Sequence, residues 1–368
     1  MDKTQFIKDL QPKMDVDSIF LVKYIARMEG KDGKSYLNII LCDNSGDIEA
    51  RKWAGAEKLI QTVEKGCYVR VAGKVNLYQG RLQLVLSDIN PVDATTICVD
   101  HFVAQSSHDP HEMLGQLVSM IEKLDDVYIR DLLLAILHDA EISRRMKIWA
   151  AGKTIHHAYQ CGLLEHLLQC VRLADILSAI YPVNRNFVIA GAMLHDLCKV
   201  YELTDGTMVD YTEEGRLVGH LINAVELLDR FCSKIKDFPS ITKLHLKHIL
   251  VSHHGEYEFG SPKLPQTSEA LLVHYIDLID SKMNSFEAAK QADRQIGHWT
   301  TFVKHLDRMV YKAELPTHKE YLKENVDTSE KEVIKTAKKN DDGVASGKQT
   351  LELKHNMSAM LKNIKLDD

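Results

Sequence analysis

NFVIAGAMLHDLCK, residues 186–199, is an apolar helical run that ends on two ionisable side chains, His195 and Asp196. Burying such a pair at a helix end is costly unless something answers it. The partners are found at a distance in the chain, each on a separate predicted helix. His166 lies in CGLLEHLLQCV, His220 in EEGRLVGHLINA, the pair His253-His254 at the end of ITKLHLKHILVSHHG, and Asp277 in LLVHYIDLIDSKM. Half of the 18 histidines fall between positions 156 and 254. Imidazoles and carboxylates without thiolates suit Mn²⁺, Fe²⁺, Co²⁺, Ni²⁺ or Zn²⁺ as a working ion better than a structural zinc. Adjacent residues on a helix diverge by about 100°, so one of the pair can serve a single ion while the other bridges two. Asp196 is the bridging candidate. His245 and His248 stand outside the pattern and read as surface or packing residues.

The periodicity around this stretch is helical from position 109 onward. Asp109-Pro110 reads as an N-cap and first-turn pair, and further helices are expected at 125–139, 161–181, 186–198, 213–233, 240–253 and 268–289. Residues 17–91 read differently. Apolar and β-branched runs at 18–28, 36–42, 47–53, 67–75 and 81–89 are separated by turn sequences such as DNSG and NLYQG, with a short helical piece at 54–63 between the third and fourth. That is the strand order of an OB-fold barrel. The expected architecture is an N-terminal all-β OB-fold barrel (1–100), an all-α domain (101–316), and a charged, disordered C-terminal tail (317–368) with KKNDDGVASGKQ at its centre.

Composition narrows the function classes. Hydrophobic residues at 45% and charged residues at 27% describe a globular chain. The longest apolar run, 187–194, is far short of the roughly 20 residues of a membrane span, and the charged start MDKTQFIKDLQPK does not read as a signal peptide. The seven cysteines are scattered and form no CxxC pair, so a reducing cytoplasm is expected rather than a disulfide framework. A net charge of −6 argues against a protein that holds duplex mainly by neutralising phosphates.

The helical order, the H…HD…H…HH…D pattern and the HD-x-x-K form of HDLCK resemble the HD-domain phosphohydrolase superfamily, and KTIHHAYQCGLLEH is similar to the HHAYxGGLLEH segment of YhaM-type 3′–5′ exoribonucleases, which join an OB-fold to an HD domain. The resemblance covers about residues 10–315. It implies that His166, His195, Asp196 and Asp277 form the core metal set, with Asp280 as a rival to Asp277, and that His220, His253 and His254 hold a second ion. The ion expected is Mn²⁺, with Co²⁺, Fe²⁺ or Ni²⁺ as alternatives, one or two per chain. Lys199 would touch the scissile phosphate or the leaving oxygen; read without the family, it is an exposed lysine at a helix C-terminus. His156 and His157 are expected to line the substrate entrance. Cys161 and Cys198 occupy positions that are glycine in relatives, and Cys161 is expected to narrow that entrance.

On the barrel, Tyr36, Trp53 and Tyr78 are candidates for base stacking, and Lys74 and Arg81, with Lys52 and Arg70, for backbone contacts. Residues 1–100 hold as many acidic as basic side chains, so binding by the barrel alone should be weak. The expected activity is metal-dependent hydrolysis of single-stranded RNA from the 3′ end to nucleoside monophosphates, with single-stranded DNA as a second substrate, no membrane partner, and a homo-oligomer left open. An HD-type nucleotidase or cyclic-dinucleotide phosphodiesterase, and a non-catalytic single-strand-binding adaptor, are the alternatives.

Overall fold

The structure, a computed structural model, describes residues 3–315 except 31, 32, 34, 54, 56–58, 61, 207, 294 and 296. Met1–Lys312 form one compact unit; the other unit, Ala313–Asp368, is described only at 313–315, and the tail expected over 317–368 lies outside the described residues.

Strands form where side chains alternate between apolar and polar. They are β1 (Asp15–Glu29), β2 (Ser35–Asp43), β3 (Gly46–Lys52), β4 (Tyr68–Tyr78) and β5 (Arg81–Val92), closed in the order β1-β2-β3-β5-β4. β1 serves two neighbours. It pairs with β4 from Asp15↔Lys74 to Leu21↔Tyr68 and with β2 from Leu21↔Cys42 to Glu29↔Ser35, with an irregularity between Val22 and Tyr24. Three parallel pairs between β3 and β5, from Glu49↔Gln83 to Arg51↔Val85, shut the barrel. The β4–β5 turn places Gln79 and Gly80 at φ 49° and 78°, as a two-residue I′ hairpin requires. Alternation sends Phe20, Leu37, Ile39, Ala50, Val71 and Leu84 into the core and leaves Trp53 and Tyr78 outside. Half of the helical piece expected at 54–63 falls on residues outside the described ones.

The expected division at 100/101 falls within the 93–109 connection, which holds two short 3₁₀ turns, Ala94–Thr96 and Val99–His101. The helices that follow are α1 (Pro110–Ile121), α2 (Val127–Leu137), α3 (Ala140–Met146), α4 (Gly162–Ser178), α5 (Arg185–Leu194), α6 (Lys199–Glu202), α7 (Glu213–Leu217), α8 (His220–Cys232), α9 (Ser240–Ser252) and α10 (Ser268–Ala292). Asp109, Asp126 and Asp139 each accept two backbone N–H groups at a helix start, satisfying donors that helix geometry leaves free. The single helix expected at 213–233 is instead two, because Gly219 takes φ 82° and turns the chain before His220. Close packing then gathers the site. A Cβ on Gly191 of α5 would lie 2.7 Å from side-chain atoms of both Ile249 on α9 and Val273 on α10, so the glycine is what lets these helices close on the His195 end of α5. Among the described residues no helix is long and apolar enough to cross a membrane.

Candidate metal centre

The expected residues converge from five helices. His166 comes from the second turn of α4, His195 and Asp196 from the end of α5, His220 from the first turn of α8, His253 and His254 from the end of α9, and Asp277 from α10. His166, His195 and His253 are fully buried, and Asp196 is nearly so, at 2% exposure.

The imidazoles are oriented by what their Nδ1 atoms touch. His195 Nδ1 lies 3.0 Å from the Ala192 carbonyl, His253 Nδ1 2.8 Å from the Leu250 carbonyl, and His254 Nδ1 2.9 Å from the Phe259 carbonyl. His166 Nδ1 lies 2.7 Å from Asp280 Oδ2, and His220 Nδ1 3.0 Å from both Glu202 oxygens. Each neighbour is an acceptor, so each Nδ1 carries the proton and each Nε2 is left with its lone pair. Those five lone pairs face the shared interior. His166 Nε2 and His195 Nε2 stand 3.1 Å apart, a separation two lone pairs hold only with a proton or a cation between them. The buried Nε2 atoms of His220 and His253 have no hydrogen-bond partner. A cation answers both facts, so the residues present fit a metal.

Asp196 sits between two groups of ligands. Its Oδ2 is 3.4 Å from His166 Nε2 and 3.7 Å from His195 Nε2, while its Oδ1 is 3.4 Å from His220 Nε2 and 3.7 Å from His253 Nε2. Asp277 Oδ1 joins the first group, 3.5 Å from His166 Nε2 and 3.8 Å from His195 Nε2. Donor atoms of His166, His195, Asp196 and Asp277 lie within 4.8 Å of one another, as do those of His220, His253 and His254. Burial would raise the Asp196 carboxyl, but Lys199, His195 and the surrounding imidazoles hold it well below the usual carboxylate range.

Several expectations are corrected here. Lys199 is not an exposed lysine at a helix C-terminus: it opens α6, and its Nζ is 2.6 Å from Asp196 Oδ2 with 12% of the side chain exposed. His157 acts as a support for the centre, although it also lines an open cavity of about 400 Å³ together with Asp280 and Asn284. It is 3% exposed, with Nε2 2.8 Å from Asp280 Oδ2 and Nδ1 2.8 Å from the Tyr159 hydroxyl, so it steadies the carboxylate that steadies His166. His156 does face the site, its ring centroid 5.7 Å from that of His166 and its buried Nε2 without a partner. Burial, then the Lys199 charge, lowers its pKa to about 3, leaving a neutral imidazole. Cys161 caps α4 at φ 65°, a left-handed backbone that favours glycine, and donates its thiol to the Lys147 carbonyl. Cys198, at φ −74°, needs no glycine.

Sequence reasoning missed Glu202 entirely, because it reaches His220 only after two turns of chain. The sequence offers Asp280 only as a rival ligand to Asp277. Its position one turn after Asp277, on the same helix face, is the signal that could have suggested a supporting role. Of the other histidines, His248 accepts the Gln266 N–H and His245 packs edge-on to Phe187, so both serve structure.

On the barrel the Tyr36 and Trp53 rings lie 4.7 Å apart at 32°, and the Arg51 guanidinium, another residue not anticipated, is 5.2 Å from the Tyr36 ring. Trp53 and Tyr78 are more than half exposed, and Arg81 is exposed where β5 begins. Lys74 lies 3.8 Å from Asp15 and Arg70 2.7 Å from Asp17, so these two charges are already answered.

A closed OB barrel followed by a helical His/Asp centre defines an HD-domain protein that carries a nucleic-acid-binding module. The sequence matches the OB-fold nucleic acid binding domain over residues 20–92 and the HD domain over residues 163–282. It is 35% identical to the 3′-5′ exoribonuclease YhaM of Bacillus subtilis, across 74% of this chain and 87% of that protein, and 32% identical to YhaM of Halalkalibacterium halodurans, across 81% and 92%. The chain belongs to the YhaM family. Among solved structures, the second OB-fold domain of replication protein A from Methanococcus maripaludis aligns with 24% of this chain and 94% of its own, at 21% identity and a TM-score of 0.21.

Proposed function

We propose that this chain is a metal-dependent 3′–5′ exoribonuclease that takes single-stranded RNA across the barrel and hydrolyses it at the His/Asp centre, releasing nucleoside monophosphates. The observation that carries the reading is the set of five imidazoles whose Nδ1 atoms are held from outside, four of which place Nε2 3.4–3.7 Å from one shared carboxylate, Asp196. His166, His195, Asp277 and Asp196 Oδ2 would hold one divalent ion, and His220, His253, His254 and Asp196 Oδ1 a second. Mn²⁺ is our first choice, and Co²⁺, Fe²⁺ and Ni²⁺ share the donor chemistry. A bound ion makes hydroxide available at neutral pH and offsets phosphate charge.

The chain's own groups supply the rest. When a water oxygen bonds to phosphorus and the bond to the 3′ oxygen of the preceding nucleotide breaks, charge grows on the leaving oxygen. The Lys199 ammonium, close against Asp196, is the cation that meets it. His156 offers a neutral imidazole beside the same site. Tyr36, Trp53 and Tyr78 would stack on unpaired bases, which makes single-stranded DNA a second substrate. Arg81 and, more weakly, Lys74 would meet the backbone. A cytoplasmic location fits seven free cysteines.

The test is incubation with Mn²⁺ and 5′-end-labelled single-stranded RNA. A ladder shortening from the 3′ end, stalled by a stable hairpin, is expected. Efficient cutting of a circular single strand would overturn the exonuclease reading.

A further inference from the structure

A cleft of about 480 Å³ separates the barrel from the C-terminal half of α10. Arg81 and Leu82 of β5 line one side, Ala288, Ala289 and Ala292 the other, and Ile155 and Phe302 also face it. Ile155 and Phe302 are 48% and 59% exposed, although each is large and apolar. Ile155 immediately precedes His156, whose ring stands beside His166. The cleft thus runs along the β5 side of the barrel and ends, at Ile155, one residue along the chain from a ring of the metal centre.

Phe302 belongs to a segment, 298–312, that lies beyond the HD match and is rigidly held. Asp293 accepts the backbone N–H groups of Gln295 and Thr301, at 2.9 and 2.8 Å, and the Lys312 ammonium at 2.6 Å. Thr300 N–H donates to the Val310 carbonyl, and Val303 N–H to the Arg308 carbonyl, closing a small hairpin. A hydrophobic ring fixed in water on a pinned hairpin is a poor arrangement unless something covers it.

The charges identify the cover. The acidic residues of the cleft are each matched: Asp47 by Lys23, Glu49 by Arg51 and Asp293 by Lys312. The Arg81 guanidinium has no ion-pair or hydrogen-bond partner among the described residues, and the residue is exposed in the same cleft. An aromatic face with a spare guanidinium suits a single nucleic-acid strand, base on ring and phosphate on cation. A second copy of the chain would need an apolar area larger than this narrow cleft presents.

We infer that this cleft is the passage by which a single strand travels from the barrel to the metal centre, with Phe302 as a stacking platform ahead of Ile155. The inference rests on the exoribonuclease reading. It makes 298–312 a part of substrate binding that neither the barrel nor the His/Asp pattern accounts for.

The experiment compares wild type with Phe302→Ala and Phe302→Tyr in the full chain, each with Mn²⁺, on a 20-nucleotide single-stranded RNA and on bis-p-nitrophenyl phosphate. Loss of one stacked base should raise KM for the RNA by about five- to 150-fold, with hydrolysis of the small ester unchanged and near-normal KM restored by tyrosine. Wild-type turnover of RNA with an unchanged KM in Phe302→Ala would overturn the passage while leaving the exoribonuclease reading intact. A change of oligomeric state in Phe302→Ala by size-exclusion chromatography, with KM unchanged, would assign the ring to self-association and overturn it too. Failure of wild type to shorten RNA at all would instead overturn the exoribonuclease reading beneath it.

Discussion

Asp280→Asn should weaken one metal position and leave the other alone. In the native protein a single oxygen, Asp280 Oδ2, receives both His166 Nδ1 at 2.7 Å and His157 Nε2 at 2.8 Å. Burial would raise this carboxyl, but the hydrogen bonds from His157 and His166 carry it below the usual range, so it is ionised at neutral pH. Its charge makes the His166 Nε2 lone pair a better donor. Asparagine can set its one oxygen where Oδ2 stood and accept from both imidazoles, but that oxygen is neutral, so the charge that strengthens the His166 donor is lost. Removing such a supporting carboxylate lowers metal affinity by about 10- to 100-fold, or roughly 1.4–2.7 kcal/mol. Calorimetric titration of metal-free protein with Mn²⁺ should show one class of site weakened by that factor, while the class formed by His220, His253 and His254 keeps its affinity. Were Asp280 itself a ligand in place of Asp277, the first class would vanish and not merely weaken. Unchanged affinity for both classes, in a variant with a native circular dichroism spectrum, would refute the reasoning.

Asp196→Ala removes the carboxylate common to both groups of imidazoles and should abolish hydrolysis while sparing single-strand binding by the barrel, read by turnover and by filter binding on one preparation. Trp53→Ala should weaken binding of single-stranded RNA by about fivefold or more, the loss of one stacked base, with no effect on a small phosphodiester. Gly162→Ala would place a Cβ 2.1 Å from the His157 carbonyl oxygen and should lower thermal stability and metal affinity together, whereas Cys161→Gly, which relieves a left-handed cysteine, should shift stability by less than about 1 kcal/mol. Burial would raise the Asp293 carboxyl, but Lys312 and two backbone N–H groups bring it below its ordinary value. The stability it lends is therefore complete above that value and lost as pH falls below it, and amide exchange across 298–312 should rise selectively in acid.

Much of this protein is legible without coordinates. Strand alternation and turn residues such as Gln79-Gly80 depend on neighbours in the chain, so the five strands of the barrel can be read locally. Asp109 and Asp126 announce helices for the same reason, since a cap acts within three residues. The ligand types are legible too, because buried ionisable residues closing apolar helices are costly enough to stand out. What lay beyond the sequence was every relation that crosses helices. Only packing at Gly191 brings α9 and α10 onto α5, and only the turn at Gly219 sets His220 on Glu202. Spacing along the chain could not assign the two oxygens of Asp196 to different imidazoles, set His157 on Asp280, or bury Lys199 against Asp196. Local chemistry chooses which residues are available. Which atom of each faces which partner depends on how helices meet, and that is fixed by side-chain volume and close packing over the whole domain.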